Sequence, residues 1–448
     1  MEEKGQEGKK PRPETASDTA GNDIAFIKEK VKERPINRRK LLKRTILTAS
    51  MAVMFGLIAC FTFLVLEPVF SNWLHPEEEP ETIRLQEEAV NEEMLPEDMV
   101  VETESEEEAV APPPATVVER VEMSVSDYQK LYGSLYEVAQ EASKCLVTVT
   151  GVTSEVDWLD TPYENRGQTT GLIVAENGKE LLILTDKEVV EQAENTHVTF
   201  CDDTFAAAAM KQSDPVMGLA VISVNLDALE EQTRENISIA QLGNSNSKGG
   251  LLAMPVIALG RPLGMADSVA YGMITSTETI LNMMDGNYRI LTTDIYGSEK
   301  GSGILVNLSG QVLGIIRQGG SGEDARNLIT ALGISDLKNN IVKLSNGQPM
   351  ASLGIYGTDV PGEIQESRGV PAGAYITGIE MDSPAMVAGI QSGDVIVKMG
   401  TEEITSFGDY NQAIMTLLPD TEVTLTVVRQ VQDEYQEMTV DVTLSALN

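Results

Sequence analysis

Histidine, cysteine and basic residues are scarce in this chain of 448 residues. It contains two histidines, three cysteines, and 33 lysines and arginines against 69 aspartates and glutamates, for a formal net charge of −36. Binding of nucleic acid phosphates requires a basic surface, so this charge argues against nucleic acid as a partner. Three cysteines give neither a disulfide framework nor a Cys-x-x-Cys metal pattern, and we expect no metal or cofactor. Only Cys145 and Cys201 could pair in an oxidising space, and both are predicted to be buried small apolar residues.

The two histidines lie in segments that carry no nucleophile motif. His75 follows an apolar segment and precedes a run of glutamates, and His197 lies in residues 196–200, whose alternation predicts the polar face of a strand. A Ser-His-Asp mechanism needs an imidazole that takes the serine proton and later returns it. Neither histidine is placed to do so, and His197 is typical of an exposed strand residue.

An uncharged run of 22 residues, 45–66, predicts one transmembrane helix, because it can cross about 30 Å of hydrocarbon. Residues 32–44 contain seven basic side chains and one acidic side chain, whereas the far side of the run is acidic. Positive charge stays in the cytosol. We therefore predict a cytoplasmic tail over residues 1–44, a signal anchor in the cell membrane, and globular domains outside the cytosol.

A lipoprotein signal is the alternative for this segment, since residues 57–60 read Leu-Ile-Ala-Cys and resemble a lipobox. Residues 61–66 remain apolar after Cys60, and the 44-residue preamble is long for a cleaved signal peptide, so the uncleaved anchor is favoured. Under either reading the rest of the chain lies outside the cytosol.

Residues 67–123 predict an acidic, disordered linker. Between Glu77 and Glu108 there are fifteen acidic residues and one basic residue, Arg84, and three prolines follow at 112–114. The stretch lacks the loop spacing that fixes calcium ligands, so a solvated spacer is favoured over a calcium site.

A helix and then a series of short strands are predicted after the linker. Residues 126–143 show apolar side chains at i, i+3 and i+4 spacing (Leu131, Leu135, Val138 and Ala142), with Ser124 or Ser126 as the N-cap. From Leu146 onward, short apolar runs alternate with Gly, Asn and Asp turns, which is typical of an all-β barrel.

Residues 183–190 read ILTDKEVV and resemble the ILTNNHVV segment of HtrA-like serine proteases, so Glu188 stands where the family has its catalytic histidine. The resemblance implies a trypsin-like double β-barrel, and it extends to further ordered motifs. Residues 213–222 read SDPVMGLAVI and resemble SDPxxDLAVL, so Gly218 stands for the aspartate. Asp214 matches a different family position and is no substitute. Residues 255–264 and 291–294 resemble VxAIGNPxG and QTDA.

The nucleophile loop resembles NPGNSGGPLxN but is one residue short, reading YGSEKGSGILVN over residues 296–307. Alignment on Leu305-Val306-Asn307 places Gly301 in the serine position, and a shift by one residue places Ser302 there instead. Glu299 falls where the family has a glycine of the oxyanion hole, and a carboxylate would oppose the negative charge that develops there.

These replacements together predict a pseudoprotease over residues 124–345. Loss of a triad member lowers the rate by orders of magnitude. Glu188 could act as the base for Ser302, but an ordinary carboxylate is a poor base for a hydroxyl and the orienting aspartate is absent. The alternative is an active HtrA-like serine endopeptidase that degrades misfolded envelope proteins.

Residues 350–448 resemble the PDZ domain of HtrA proteases, an α+β fold. Residues 382–396 read DSPAMVAGIQSGDVI, in which Ser383 can cap a short helix with Pro384 at its first position and Gly389 can end it. A helix is predicted over residues 407–418 and a strand over 421–428.

The resemblance implies a peptide-binding site in this domain. Leu353, Gly354 and Ile355 fill the position of the loop whose backbone N–H groups bind a peptide C-terminus, while the adjacent strand adds the peptide to the sheet. Tyr410 and Ile414, one helical turn apart, are the candidates for an apolar pocket, and plain core packing is the equal alternative.

The sequence thus predicts a mainly β protein with one transmembrane helix, a trypsin-like double barrel and a PDZ domain. We expect a membrane-tethered pseudoprotease that binds unfolded or C-terminal segments of envelope proteins in quality control. By family resemblance a homo-oligomer, in particular a trimer, or a catalytic homologue is a further possible partner. A third possibility is a scaffold whose PDZ groove is filled by its own chain.

Overall fold

A computed structural model describes residues 80–85, 124–156, 162–246, 250–318, 327–432 and 434–447, together with Met51 and Met54. The predicted tail lies outside the described residues, as do nearly all of the predicted transmembrane helix, 45–66, and linker, 67–123. Within the described part of the chain, no helix is long and apolar enough to cross a membrane. The described residues from Pro80 onward belong to one compact unit.

The first helix of this unit, α1 (Val125–Ser143), lies where the sequence predicts. Ser124 is its N-cap, and the Ser124 backbone N–H and hydroxyl donate to the Asp127 carboxylate at 3.0 and 2.8 Å. The predicted apolar face is wrong in its N-terminal turns, because Leu131 is 49% exposed while Ala139 and Ala142 are buried. Apolar spacing identifies a face of a helix but not which of its turns reach a core.

The first closed barrel has six antiparallel strands in the order β1-β2-β3-β6-β5-β4. They are β1 (Leu146–Val156), β2 (Pro162–Glu176), β3 (Glu180–Asp186), β4 (Asn195–Thr199), β5 (Phe205–Asp214) and β6 (Leu219–Asn225). Short helices follow β3 and β6: α2 (Lys187–Glu191), a 3-10 turn (Leu226–Ala228) and α3 (Glu231–Asn236).

Strand β3 shows why the apolar runs of this barrel are continuous rather than alternating. Leu181 and Ile183 lie in the core of the first barrel, and Leu182 and Leu184 lie in a second core that this barrel shares with the next. Successive side chains of a strand point to opposite faces. Both faces of β3 are therefore buried.

The second closed barrel has the strand order β10-β11-β12-β9-β8-β7. Its strands are β7 (Pro255–Arg261), β8 (Ser268–Met283), β9 (Gly286–Tyr296), β10 (Ser302–Val306), β11 (Val312–Ile316) and β12 (Leu328–Gly333). Val256 and Ala258 lie inside it, whereas Ile257 and Leu259 join the shared core. The predicted double β-barrel is confirmed.

Helix α4 (Ile334–Ser345) leads from the second barrel to the C-terminal region and packs Leu337, Ile341 and Leu344 into the shared core. The C-terminal sheet has the order β14-β15-β16-β18-β19, with β17 paired to β16, and β13 pairs separately with β20. Its strands are β13 (Ala351–Ser352), β14 (Ile355–Asp359), β15 (Ala374–Ile379), β16 (Val395–Met399), β17 (Glu402–Glu403), β18 (Glu422–Val431), β19 (Glu434–Thr443) and β20 (Ser445–Ala446).

Three helices accompany this sheet: α5 (Gly362–Arg368), α6 (Pro384–Val387) and α7 (Phe407–Thr416). The predicted capping of α6 is confirmed, since the Ser383 hydroxyl accepts from the Met386 N–H at 3.2 Å and Pro384 is the first helical residue. Gly389 follows with a φ of 79°, the left-handed conformation that ends a helix.

The two described cysteines are both free. Cys145 is buried, and burial raises the pKa of its thiol to about 12. Cys201 is exposed, so the expectation that both behave as buried apolar residues is wrong for Cys201.

Candidate functional site

Glu188 and Gly218, the residues in the predicted histidine and aspartate positions, are brought together at the end of the first barrel. Glu188 is the second residue of α2, and its N–H donates to the Asp186 carboxylate at 3.2 Å, which caps the helix. The Lys187 N–H donates to the Gly218 carbonyl at 2.9 Å, so the start of α2 is held against the β5–β6 turn. The Glu188 side chain is exposed.

The guanidinium of Arg317 lies beside Gly218. Arg317 follows β11 of the second barrel, and its Nη1 donates to the Met217 carbonyl oxygen. A Cβ added at Gly218 would lie 3.7 Å from Nη2 of Arg317. A cation thus stands next to the position where the resemblance expects the carboxylate that orients the histidine.

Asp214 serves the turn that leads to Gly218. It is 2% exposed, and its carboxylate accepts from the N–H groups of Val216 and Met217 at 3.0 and 2.9 Å and from Asn340 Nδ2 at 2.9 Å. Burial raises the pKa of Asp214, and these hydrogen bonds oppose the shift. The side chain is fully engaged in shaping this turn.

Gly301, in the predicted serine position, lies in a loop that uses its own backbone donors. The Gly301 N–H donates to the Ser298 carbonyl at 2.8 Å, and the Ser298 N–H donates to the Pro262 carbonyl at 3.0 Å. A Cβ at Gly301 would lie 2.7 Å from the Pro262 oxygen and 2.9 Å from the Ser298 oxygen. A serine side chain does not fit there unless the backbone moves.

Ser302, the alternative nucleophile, bridges the two barrels. It begins β10, and its Oγ accepts from the Thr170 N–H at 3.3 Å and lies 3.2 Å from Thr170 Oγ1. His197 lies on β4, which pairs with β1 and β5. His197 is half-buried rather than exposed as predicted. Among the described residues, no histidine donates to or accepts from Ser302.

The predicted carboxylate loop, Leu353-Gly354-Ile355, is formed and holds a carboxylate of its own chain. The N–H groups of Leu353 and Gly354 donate to Asp285 Oδ2 at 3.0 and 2.9 Å, and the Ile355 N–H donates to Oδ1 at 3.1 Å. Gly354 has a φ of 83°, and a Cβ there would lie 2.3 Å from the Ser383 Cβ. Only glycine fits this turn.

Two hydroxyl groups complete the shell around Asp285. Tyr410 donates to Oδ1 at 2.5 Å and Ser352 donates to Oδ2 at 2.6 Å. Burial, followed by the charge of Asp285, raises the pKa of Tyr410, so the phenol stays a donor. Tyr410 is 0% exposed and Ile414 lies in the core of the C-terminal region, so neither side chain presents an open pocket surface.

Asp285 and Arg317 are the residues that sequence reasoning missed. Asp285-Gly286 between two apolar runs is a hairpin signal that was available in the sequence, and the β8–β9 turn lies there. That signal does not reveal where the aspartate side chain goes. For Arg317 the sequence contains no signal, because its partner Met217 lies 100 positions earlier in the chain.

Comparisons with known proteins agree with the two domains. A family model described as a trypsin-like peptidase domain matches residues 169–315, and one described as a PDZ domain matches residues 336–444. A probable periplasmic serine endoprotease, DegP-like, of Chlamydia trachomatis is 29% identical over 267 residues, which cover 58% of this chain and 51% of that protein. The serine endoprotease DegS of Haemophilus influenzae is 26% identical over 58% of this chain and 73% of DegS.

Solved structures with a similar fold include the HtrA-type protease AlgW with a decapeptide. It is 20% identical with a TM-score of 0.49, and the match covers 70% of this chain and 98% of that one. The chain spans about half the length of the DegP-like relatives that it matches. It combines a trypsin-like peptidase domain with a PDZ domain, and its curated relatives are named as DegP-like and DegS serine endoproteases. The predicted limits of the domains, 124–345 and 350–448, stay predictions.

Proposed function

We propose that this HtrA-type chain is a membrane-tethered, extracytoplasmic pseudoprotease that recognises the carboxyl termini of envelope proteins in quality control. The observation that carries the proposal is the carboxylate loop, in which three consecutive N–H groups converge on one carboxylate. Such charge-assisted hydrogen bonds are the strong ones. A loop that binds the carboxylate of Asp285 is chemically suited to a peptide terminus.

The arrangement of the triad positions supports the absence of proteolysis. Among the described residues, the Ser302 hydroxyl is hydrogen-bonded to Thr170, which is not a general base, and Glu188 lies exposed at the start of α2. Arg317 beside Gly218 would also disfavour a positively charged imidazole, which is the form that a catalytic histidine takes in the transition state. The Gly301 N–H, a candidate oxyanion donor, is already bonded to Ser298.

The names of the relatives and the sequence support the location. The DegP-like homologues are called periplasmic, and residues 32–44 place a basic cluster before the apolar run 45–66. A tether of this kind would hold both domains on the far side of the membrane. Protease added outside intact protoplasts should therefore digest the globular domains; their protection would remove this part of the proposal.

Catalysis is tested with the full chain in detergent, using unfolded casein and a fluorophosphonate probe. We expect neither cleavage nor labelling. The names of the homologues favour the second candidate, an active serine endopeptidase. Labelling that disappears in the Ser302→Ala variant would establish that activity, and labelling that persists would point to a contaminant.

A further inference from the structure

The turn between β8 and β9 inserts Asp285 into the PDZ domain in the manner of a ligand. Asp285 is 5% exposed, and every hydrogen bond that its carboxylate accepts comes from residues 352–355 or from Tyr410. The turn belongs to the second barrel. One side chain of the trypsin-like domain therefore occupies the carboxylate loop of the other domain.

The backbone of the β8–β9 turn also makes hydrogen bonds of the kind that a bound peptide terminus makes. The Asp285 N–H donates to the Ile355 carbonyl at 2.8 Å, which is the type of contact that an added strand makes with β14. The next residues follow the same path, since Asn287 Nδ2 donates to the Gly357 carbonyl at 3.0 Å. Asn411 of α7 donates to the Asp285 carbonyl at 2.8 Å from the other side of the groove.

Asp285 has a counterpart with a similar φ in another turn of the second barrel. Its φ of 58° lies in the left-handed region, which non-glycine residues adopt at a cost. Asp267, in the β7–β8 turn of the same barrel, has a similar φ of 55° but is exposed. The two aspartates have a similar φ and differ in exposure, which makes Asp267 a matched control.

We propose that Asp285 is the resident ligand of the carboxylate loop and keeps the PDZ domain closed to free peptide termini. The proposal rests on the proposed recognition of carboxyl termini and adds its regulation. A peptide whose terminal carboxylate enters the loop must first displace the β8–β9 turn. An internal ligand competes at an effective concentration on the order of millimolar or more, so the site binds weakly until the turn leaves.

Peptide binding to the full chain tests this directly. The probe is a fluorescein-labelled octapeptide that ends in valine, as the free acid and as the C-terminal amide, titrated by fluorescence anisotropy. Asp285→Gly removes the carboxylate and keeps a residue that tolerates the positive φ. We expect it to bind the free acid about 100-fold more tightly than the unaltered chain, with little binding of the amide. Asp267→Gly should bind like the unaltered chain.

Equal affinities of the unaltered chain and Asp285→Gly for the free acid would overturn the closed site and leave carboxylate recognition intact. Should Asp285→Gly not fold, Asp285→Asn repeats the test, because asparagine keeps the size of the side chain and tolerates this φ. Far-UV circular dichroism establishes folding of each variant before titration.

Hydrogen exchange of the amides of Leu353, Gly354 and Ile355 separates the two proposals if no variant binds the peptide. Faster exchange in Asp285→Gly than in Asp267→Gly and the unaltered chain would support Asp285 as resident ligand, while the proposed recognition of termini would fail. Unchanged exchange would overturn both.

Discussion

The triad positions and the carboxylate loop are two sites of one chain, and they differ in what has been lost. At the predicted triad positions both barrels are formed, Arg317 lies beside Gly218, and Gly301 has no side chain. In the carboxylate loop every donor is present, and Asp285 occupies them. Under the proposed function, the first site lacks catalytic side chains, whereas the second keeps its N–H donors and is occupied.

The difference follows from what each function requires of the sequence. Proton transfer and nucleophilic attack depend on the identity of individual side chains, so single substitutions remove them. Carboxylate binding depends on backbone N–H groups, which are kept by any sequence that maintains the turn at Gly354. Such a site is more readily closed by an occupant than by substitution.

The largest expected effect concerns an attempt to restore the triad. The triple variant Glu188→His, Gly218→Asp, Gly301→Ser should remain inactive, with a kcat at least about 10⁶-fold below that of an active triad enzyme. The new Ser Cβ would contact the Pro262 carbonyl, and Arg317 would compete for the new carboxylate. Casein cleavage measures the outcome. If the triple variant cleaves casein, and cleavage stops when the serine at position 301 is changed back to glycine, the prediction is wrong. The triad positions would then lack only the side chains and not the backbone space for them.

The next effect concerns a buried ion pair elsewhere in the PDZ domain. Asp394 is buried, and Arg429 binds it through Nε and Nη2, each at 2.6 Å. Arg429→Leu should lower the free energy of unfolding by about 3 kcal/mol, because it leaves a buried carboxylate unpaired. Arg368→Leu, at an exposed position of α5, is the control and should change it by less than about 0.5 kcal/mol. Urea unfolding decides, and equal effects would contradict the role given to the Asp394–Arg429 pair.

A smaller effect on the free energy of unfolding, opposite in sign at Asp285 and Asp267, distinguishes the buried aspartate from the exposed one. Asp285→Gly should destabilise the chain by about 2 kcal/mol, since it removes a carboxylate that accepts several buried donors. Asp267→Gly should stabilise it slightly, by up to about 1 kcal/mol, since glycine adopts the positive φ without strain. Thermal unfolding of both variants measures the difference. A stabilising Asp285→Gly would mean that the PDZ domain does not hold this turn.

The smallest expected effect is the contribution of Asp214, in the turn before Gly218, to the pH dependence of the free energy of unfolding. Its pKa in the folded state is raised above 3.8 by burial, so its contribution to stability is present at low pH and is lost as pH rises through the folded value. Compared with Asp214→Asn, the unaltered chain should gain stability on acidification. Asn340 can adapt to the variant by rotation, because its Oδ1 has no partner among the described residues. A difference between the two chains that does not vary with pH would contradict the raised pKa.

Features set by neighbouring residues could be predicted from the sequence, and features set by distant contacts could not. Ser124 and Ser383 identify helix starts, and the short apolar runs identify the strands, because caps and side-chain period are local. Asp285 and the carboxylate loop are 67 to 70 positions apart, and nothing in either segment encodes their contact. The location of the loop was therefore predictable, but its occupant was not.

The most direct test of the proposed function measures whether the chain binds the octapeptide and leaves it uncleaved. The Asp285→Gly chain is placed in equilibrium dialysis with the free-acid octapeptide or its amide, and the retained peptide is examined by mass spectrometry. The account predicts that the free acid is retained at full length and that the amide is not retained. Recovery of shortened peptide would contradict the loss of catalysis, provided that the Ser302→Ala variant does not shorten it. Equal retention of the acid and the amide would contradict carboxylate binding by residues 353–355.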